Sequence, residues 1–251
     1  VRSLGFRGEA LPSIAAVSRM RITSLPQDCL TGHTLMISGG KLLQIEEAGA
    51  PSGTTVDVKD LFFNIPARRK FLRAERTETD HIVDILSRIA RPFSKITFKL
   101  DEGSRNVIHL PASEDILDRI SGLLGRKTAE AMMTGDEKDG DLSIRVYAGP
   151  PELARSRGDR LYVYINGRNI RDRIATKAIM EGYGRRLMKS QYPQVVIFVD
   201  IDPLEVDVNV HPTKQEIRFR DASRVFQSIV SAVGKTLDRL PQPFSRQGLT
   251  E

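Results

Sequence analysis

Three shortages in the sequence each exclude a class of protein. The longest uninterrupted apolar run, Val195 to Val199, is far below the roughly 20 residues that a membrane-crossing helix needs. A secretory leader, with its basic, apolar and small-residue succession, is not found in the opening residues. The single cysteine, Cys29, rules out an internal disulfide framework and fits a reducing compartment. Histidine is sparse too. His33, His81, His109 and His211 are scattered, and none has a Cys or His partner at ligand spacing, which argues against a structural zinc site. The first residue is Val1 rather than Met, so a fragment lacking its true beginning is expected.

What is there is an ordinary globular composition. The 251 residues are 40% hydrophobic and 28% charged, enough for one large domain or two modest ones with a sizeable core. The net charge of +6 is unevenly placed. Asn64–Arg76 holds five basic side chains against one acidic, and Arg155–Arg173 holds six arginines against two aspartates. Each window nets +4, so the rest of the chain nets −2. Concentrated arginine suits a polyanion such as nucleic acid, because guanidinium groups pair with phosphate in a fixed fork. A solvated charged face is the alternative that composition leaves open.

Helix and strand signals alternate along the chain, which predicts an α/β or α+β architecture in two lobes. A glycine-bearing loop, Ser3–Glu9, runs into a helix over Ala10–Val17. Arg19–Ser24, Thr34–Ile37 and Gly53–Val58 read as strands, the last half-buried. Thr77 is placed to cap a helix with Asp80, whose apolar stripe is Ile82, Ile85, Leu86 and Ile89. A hairpin is expected around Asp101–Asn106, and a second unit from about Pro111, opening on a helix capped by Ser113 and closed by Gly125. Further strands are expected at Leu142–Tyr147, Leu161–Ile165, Val195–Ile201 and Val206–His211, with helices at Arg173–Met188 and through Val225–Leu237. Pro241–Glu251 reads as the start of a linker.

Three stretches carry chemistry. In Gly5-Phe6-Arg7-Gly8-Glu9-Ala10-Leu11, two glycines three apart let successive backbone N–H groups point at one anion. Plain chain reversal explains the same turn. Thr54 in Gly53-Thr54-Thr55 can hydrogen-bond a purine edge from a sheet floor, although threonine is also simply a good strand residue. Lys214, just past Pro212, can reach a terminal phosphate as a mobile point charge, or stand solvated like most surface lysines. Two decoys fail. Glu102 and Asn106 have the spacing of a base and a metal ligand on one helix face but sit in a predicted hairpin turn, and Gly122 with Gly125-Arg126-Lys127-Thr128 departs from the P-loop spacing.

The order and spacing of these stretches resemble one family. GFRGEAL, GTTVDVKDLFFNIPARRKFL, YVYINGRNIRDR and DVNVHPTKQEIRF are similar to the N-terminal ATPase region of MutL-type DNA mismatch repair proteins, members of the GHKL ATPases. The resemblance spans nearly the whole chain, from Ser3 to about Leu240. It implies a partial GHKL-type ATP-binding α/β sandwich over residues 1–112, a ribosomal-protein-like α/β transducer domain over 113–240, and a linker from 241. It also implies ATP with Mg²⁺ as cofactors. Gly5, Phe6, Arg7, Gly8, Glu9 and Ala10 would form the ATP lid, Thr54 would stand beneath the adenine, and Lys214 would meet the γ-phosphate. Thr55, on the opposite face by alternation, is the weaker candidate.

Arg168, Arg171 and Arg173 match arginines near the family's DNA-facing saddle, and Arg68 and Arg69 are further candidates, with a salt-bridged loop as their structural alternative. The implied partners are DNA, mismatch-recognition and downstream repair proteins, and a second copy on ATP binding, in a cytoplasmic, nucleoid-associated setting. The family's catalytic Glu and Mg²⁺-binding Asn lie upstream of the lid and are not in this chain. No catalytic residue is therefore assigned, and the Mg²⁺ ligand is expected outside the chain. A non-catalytic DNA-binding and partner-docking module that binds no ATP by itself is the competing reading.

Overall fold

A computed structural model describes residues 8–207 and 217–239. The Cα packing divides the chain into two compact units on either side of Asp80 and His81.

The first unit begins with a short helix, α1 (Ala10–Ala15), followed by four strands, β1 (Arg19–Leu25), β2 (Gly32–Ser38), β3 (Lys41–Ala48) and β4 (Gly53–Lys59). They form an antiparallel sheet in the order β3-β2-β1-β4. β3 had no expectation in the sequence. It follows from the two-residue turn Gly39-Gly40, whose φ values of 56° and 80° suit a tight hairpin that splays neither strand. A one-turn helix, α2 (Pro66–Arg69), comes next, and the first residues of α3 (Glu75–Ala90) close the unit.

Register sorts this sheet into two unlike faces, because directly opposed residues in antiparallel strands share a face. Met20, Ile22 and Ser24 oppose Val58, Val56 and Thr54 on one side, and Ile37, Leu35 and His33 on the other. That face is apolar except at the Ser24 and Thr54 end. It is also open: Val56 is 43% exposed and Ile45, opposite Leu35, is 60% exposed. The strand at Gly53–Lys59 is therefore more exposed than the half-buried strand expected from its alternation.

The second unit holds the remainder of α3, the hairpin β5 (Phe98–Glu102) and β6 (Arg105–Leu110), α4 (Ile116–Leu124), α5 (Arg126–Glu130), β7 (Met133–Asp139), β8 (Leu142–Ala148), β9 (Leu161–Ile165), β10 (Arg168–Ile170), α6 (Arg173–Tyr183), β11 (Val195–Asp200), the short pair β12 (Val206–Asp207) and β13 (Arg218–Phe219), and α7 (Ala222–Leu237). Its main sheet has the order β10-β9-β11-β8-β7, with β11 parallel to β9 across α6. A strand covered on both faces reads as a continuous apolar run, and Val195-Val196-Ile197-Phe198-Val199 is that strand. Val195, Ile197 and Val199 join the core with α6 and α7, whereas Val196 packs with Ile120, Leu124, Tyr162 and Tyr164 on the other face.

Several local expectations needed correction. α3 starts at Glu75, so Thr77 lies inside the first turn rather than capping it. Its covered face is Val83, Leu86 and Ala90 against the β5–β6 hairpin, while Ile82, Ile85 and Ile89 are 51%, 57% and 42% exposed. Both sets have helical spacing, and the hairpin chose between them. α4 is capped by Asp115, which accepts from Leu117 N at 2.8 Å. Ser113 instead donates to Asp118 at 2.5 Å. α6 ends at Tyr183, five residues short of the expected Met188. Of the strand expected over Val206–His211, only Val206–Asp207 lies among the described residues.

Two arginines are almost fully buried in the second unit. Arg119, 2% exposed, donates to the carbonyls of Ala90, Ser94, Ile96 and Pro111 at 2.6–3.1 Å. Arg91 stacks 3.6 Å above Tyr162 and donates to the Tyr164 hydroxyl at 3.0 Å, but its Nε has no acceptor among the described residues.

Candidate functional site

In the first unit, Thr54 lies on β4 opposite Ser24, and their hydroxyls share a 2.8 Å hydrogen bond. Both belong to the apolar sheet face, at its polar end. Thr55 opposes Thr23 on the other face, where Thr23 and Thr34 hydroxyls meet at 2.8 Å. The alternation argument therefore separates the two threonines as expected.

Gly8, Glu9 and Ala10 enter α1, with Glu9 at the N-cap making no side-chain cap. The far end of α1 is held by three groups distant in sequence. Asn64 Nδ2 donates to Ala16 O at 2.9 Å, Gly40 N to Ala15 O at 2.9 Å, and Phe62 N to Val17 O at 2.7 Å. The loop that supplies Phe62 and Asn64 carries Asp60 and Phe62 at φ 51° and 62°. For residues other than glycine this left-handed backbone is costly unless surrounding contacts impose it. Here Arg19 pairs with Asp60 at 3.0 Å and stacks over Phe63 at 5.3 Å. Gly5, Phe6, Arg7 and Lys214 lie outside the described residues.

Arg68 and Arg69 end α2 and are exposed. The other arginines fall in the second unit. Arg168 lies on the edge strand β10, half-buried, and burial pushes its guanidinium pKa below the usual arginine value. Arg171 and Arg173 flank Asp172, the residue that caps α6 by accepting from Ala175 N at 2.8 Å.

Arg171 and Arg173 line an open cleft of about 630 Å³. Sequence reasoning missed two further cations there, Arg88 from α3 and Lys177 one turn along α6. Nothing local marks Arg88, which joins the windowed arginines only through the fold, whereas Lys177 follows Arg173 at i,i+4 on one helix and that spacing was a usable signal. Arg88 is held by Asp84 at 2.9 Å and reaches Asn169 Oδ1 at 3.3 Å. Leu161, Val163 and Ile170 floor the cleft and Tyr192 walls it.

Both decoys stay decoys. Glu102 and Asn106 lie on hairpin strands, with Asn106 donating to Asp101 at 2.8 Å, and Gly125 is the C-cap of α4 at φ 94°. Among the described residues, no three His, Cys, Asp or Glu side chains gather as a metal site. No helix among them is long and apolar enough to cross a membrane.

The comparisons with known proteins agree with this framework. The family model "DNA mismatch repair protein, C-terminal domain" matches residues 120–238. The chain is 41% identical over 241 residues to the DNA mismatch repair protein MutL of Citrifermentans bemidjiense, covering 95% of this chain and 37% of that protein. It is 39% identical to MutL of Symbiobacterium thermophilum, covering 94% and 38%. It thus spans about two fifths of the length of the curated relatives it matches.

Among solved structures, the N-terminal domain of a DNA repair protein matches with a TM-score of 0.78 at 22% identity, over 95% of this chain and 77% of that one. The Aquifex aeolicus MutL ATPase domain complexed with ADP matches at 0.65 and 24%, over 88% and 76%. The gyrase B 43K ATPase domain of Thermus thermophilus matches at 0.54 and 13%, over 89% and 65%. The expected mixed α/β, GHKL-type fold is borne out by these likenesses. With relatives of one kind matched at about 40% identity along nearly all of its length, the chain belongs to the MutL family of DNA mismatch repair proteins.

Proposed function

We propose that this chain is the part of a mismatch repair ATPase that closes over nucleotide and meets DNA. The observation that carries the reading is the 41% identity to a curated MutL over 95% of the chain. Two features of the first unit support it. Thr54 stands at the polar end of an open apolar sheet face, as a threonine beneath an adenine would. The helix that follows Gly8 is anchored at its far end, so that motion in the preceding glycine loop would hinge rather than drag the sheet. The likeness to an ATPase domain solved with ADP supports nucleotide as the ligand.

On this reading, Gly5–Ala10 wrap the phosphates, Lys214 reaches the γ-phosphate, and ATP draws residues 1–112 and 113–240 into one arrangement. Closure then brings two copies together and sets a basic surface against DNA, with Arg68, Arg69, Arg168, Arg171 and Arg173 contacting mainly phosphate. Mismatch-recognition and downstream repair proteins are the remaining partners, in the cytoplasm at the nucleoid. The open apolar face bearing Thr54 is where the rest of the ATP-binding domain would pack. Hydrolysis is assigned to no residue of this chain, and Mg²⁺ to none of its described residues.

A second reading, a DNA-binding and docking module indifferent to nucleotide, is favoured by one fact: the cationic cleft is built wholly within the second unit. One experiment separates the two. The chain is titrated with duplex DNA, with and without a non-hydrolysable ATP analogue and Mg²⁺, beside Lys214→Ala. DNA affinity raised by the analogue, and not raised in Lys214→Ala, is the expected result. Salt-dependent DNA binding unmoved by millimolar analogue would leave only the module.

A further inference from the structure

We infer that the cleft between β10 and the start of α6 receives a nucleobase of an unpaired DNA strand. This inference rests on the DNA-binding reading and names the subsite and the form of DNA it takes. A surface that only holds the phosphates of a duplex needs exposed cations and nothing behind them. Here a recess of about 630 Å³ lies behind the cations, within the size range of small-molecule sites.

The lining divides by chemistry. Arg171, Arg173 and Lys177 form an exposed rim, and among the described residues none of the three makes an ion pair. The two carboxylates present are already engaged, Asp172 as the cap of α6 and Asp159 with Arg155 at 3.7 Å. Beneath the rim, Val163 and Ile170 are already covered in the core, and the apolar surface on offer is half-buried Leu161 with the Tyr192 ring. A nucleotide joins an anionic phosphate to a planar, largely apolar base and so matches rim and apolar surface together. An acidic peptide satisfies the rim and leaves Leu161 and the Tyr192 ring uncovered.

Tyr192 supplies the platform. Its backbone is pinned by two hydrogen bonds with Arg155, at 2.7 and 2.8 Å. One edge of its ring lies against Gly158, where an added Cβ would stand 3.1 Å from the ring. The ring is thus held by groups that any side chain at 158 would disturb. Stacking on an aromatic ring is sequence-tolerant, since every base has a π-face.

The test compares single-stranded oligothymidylate with an abasic oligomer of equal length by fluorescence anisotropy, on the whole chain. The expected result is roughly tenfold tighter binding of oligothymidylate, the size of one base stacked on an aromatic ring. Tyr192→Leu and Gly158→Ala should each shrink that ratio toward one while leaving the abasic affinity in place. Arg173→Glu should weaken both oligomers. Equal binding of the two oligomers, or a ratio that survives both cleft variants, would overturn the inference. So would oligoglutamate competing as well as oligothymidylate. Loss of all DNA binding only on Arg173→Glu, with no base effect, would leave the DNA-binding reading standing and remove this one.

Discussion

At the scale of single residues, the two buried arginines make opposite uses of the same side chain. Arg119 spends its guanidinium on four backbone carbonyls, tying the end of α3, the 94–96 segment and Pro111 to α4. Burial lowers its pKa from the usual arginine value, yet the group stays cationic at neutral pH and hydrogen-bonded to the four carbonyls. Arg91 makes one hydrogen bond and a ring stack, with Nε unanswered among the described residues. Arg119→Met should therefore cost about 3 kcal/mol or more, because it strands buried carbonyls, and Arg91→Met should cost clearly less. Urea unfolding of the two variants checks the order, and equal losses would refute it. Neither arginine was legible in the sequence, where nothing local marks either as buried. The Thr54 and Thr55 distinction was legible, because strand alternation is local and every second residue shares a face.

Elements bring a different kind of constraint, in which two helices approach only as closely as their smallest residues permit. α6 and α7 pack over one face of the main sheet, and at their crossing Gly182 has no room for a side chain. An added Cβ would lie 2.7 Å from Val233 Cβ and 3.1 Å from the Val230 carbonyl. Gly182→Ala should destabilise the second unit by roughly 1–3 kcal/mol through overpacking. Val233→Gly in the same chain removes the opposing Cβ and should show positive coupling with Gly182→Ala, which a double-mutant cycle measures. Additive losses would mean that the two positions are not in conflict.

Apolar periodicity foretold α4 and α7 well because each has one buried face. It misread most of α3: of the expected stripe 82-85-86-89 only Leu86 belongs to the covered set 83-86-90, one residue away in phase from 82-85-89. Only the β5–β6 hairpin decides which is covered.

For the whole molecule, four of the five tyrosines, Tyr147, Tyr162, Tyr164 and Tyr183, are buried, and burial raises the phenols of Tyr147, Tyr164 and Tyr183 above the ordinary value of 10.0. Tyr183 rises furthest, with its hydroxyl donating to Gly149 O at 2.8 Å. A group whose folded pKa lies above its unfolded one binds its proton more tightly when folded. Its contribution is complete below pH 10 and is withdrawn as pH rises beyond it. The second unit should therefore unfold in alkali, with the phenolate absorbance of these three tyrosines appearing together with loss of helical circular dichroism. Phenolate formation at ordinary pKa with the fold intact would contradict this.

Family and fold class were both legible at this scale, from four motif stretches whose order chance does not reproduce. The joining of Arg88 to Arg171, Arg173 and Lys177 was not legible, since about eighty residues separate Arg88 from the others.

The sequence by itself determined the family, the absence of a disulfide framework, the element types of strongly periodic segments and the face on which Thr54 stands. These depend on composition or on neighbours a few residues away. The tertiary structure decided which face of α3 is covered, how the Asp60–Asn64 loop holds α1, and that four scattered cations ring an apolar recess. Each of these is a contact between segments far apart in the chain. Local propensity says which residues are fit to be buried, and only packing says against what.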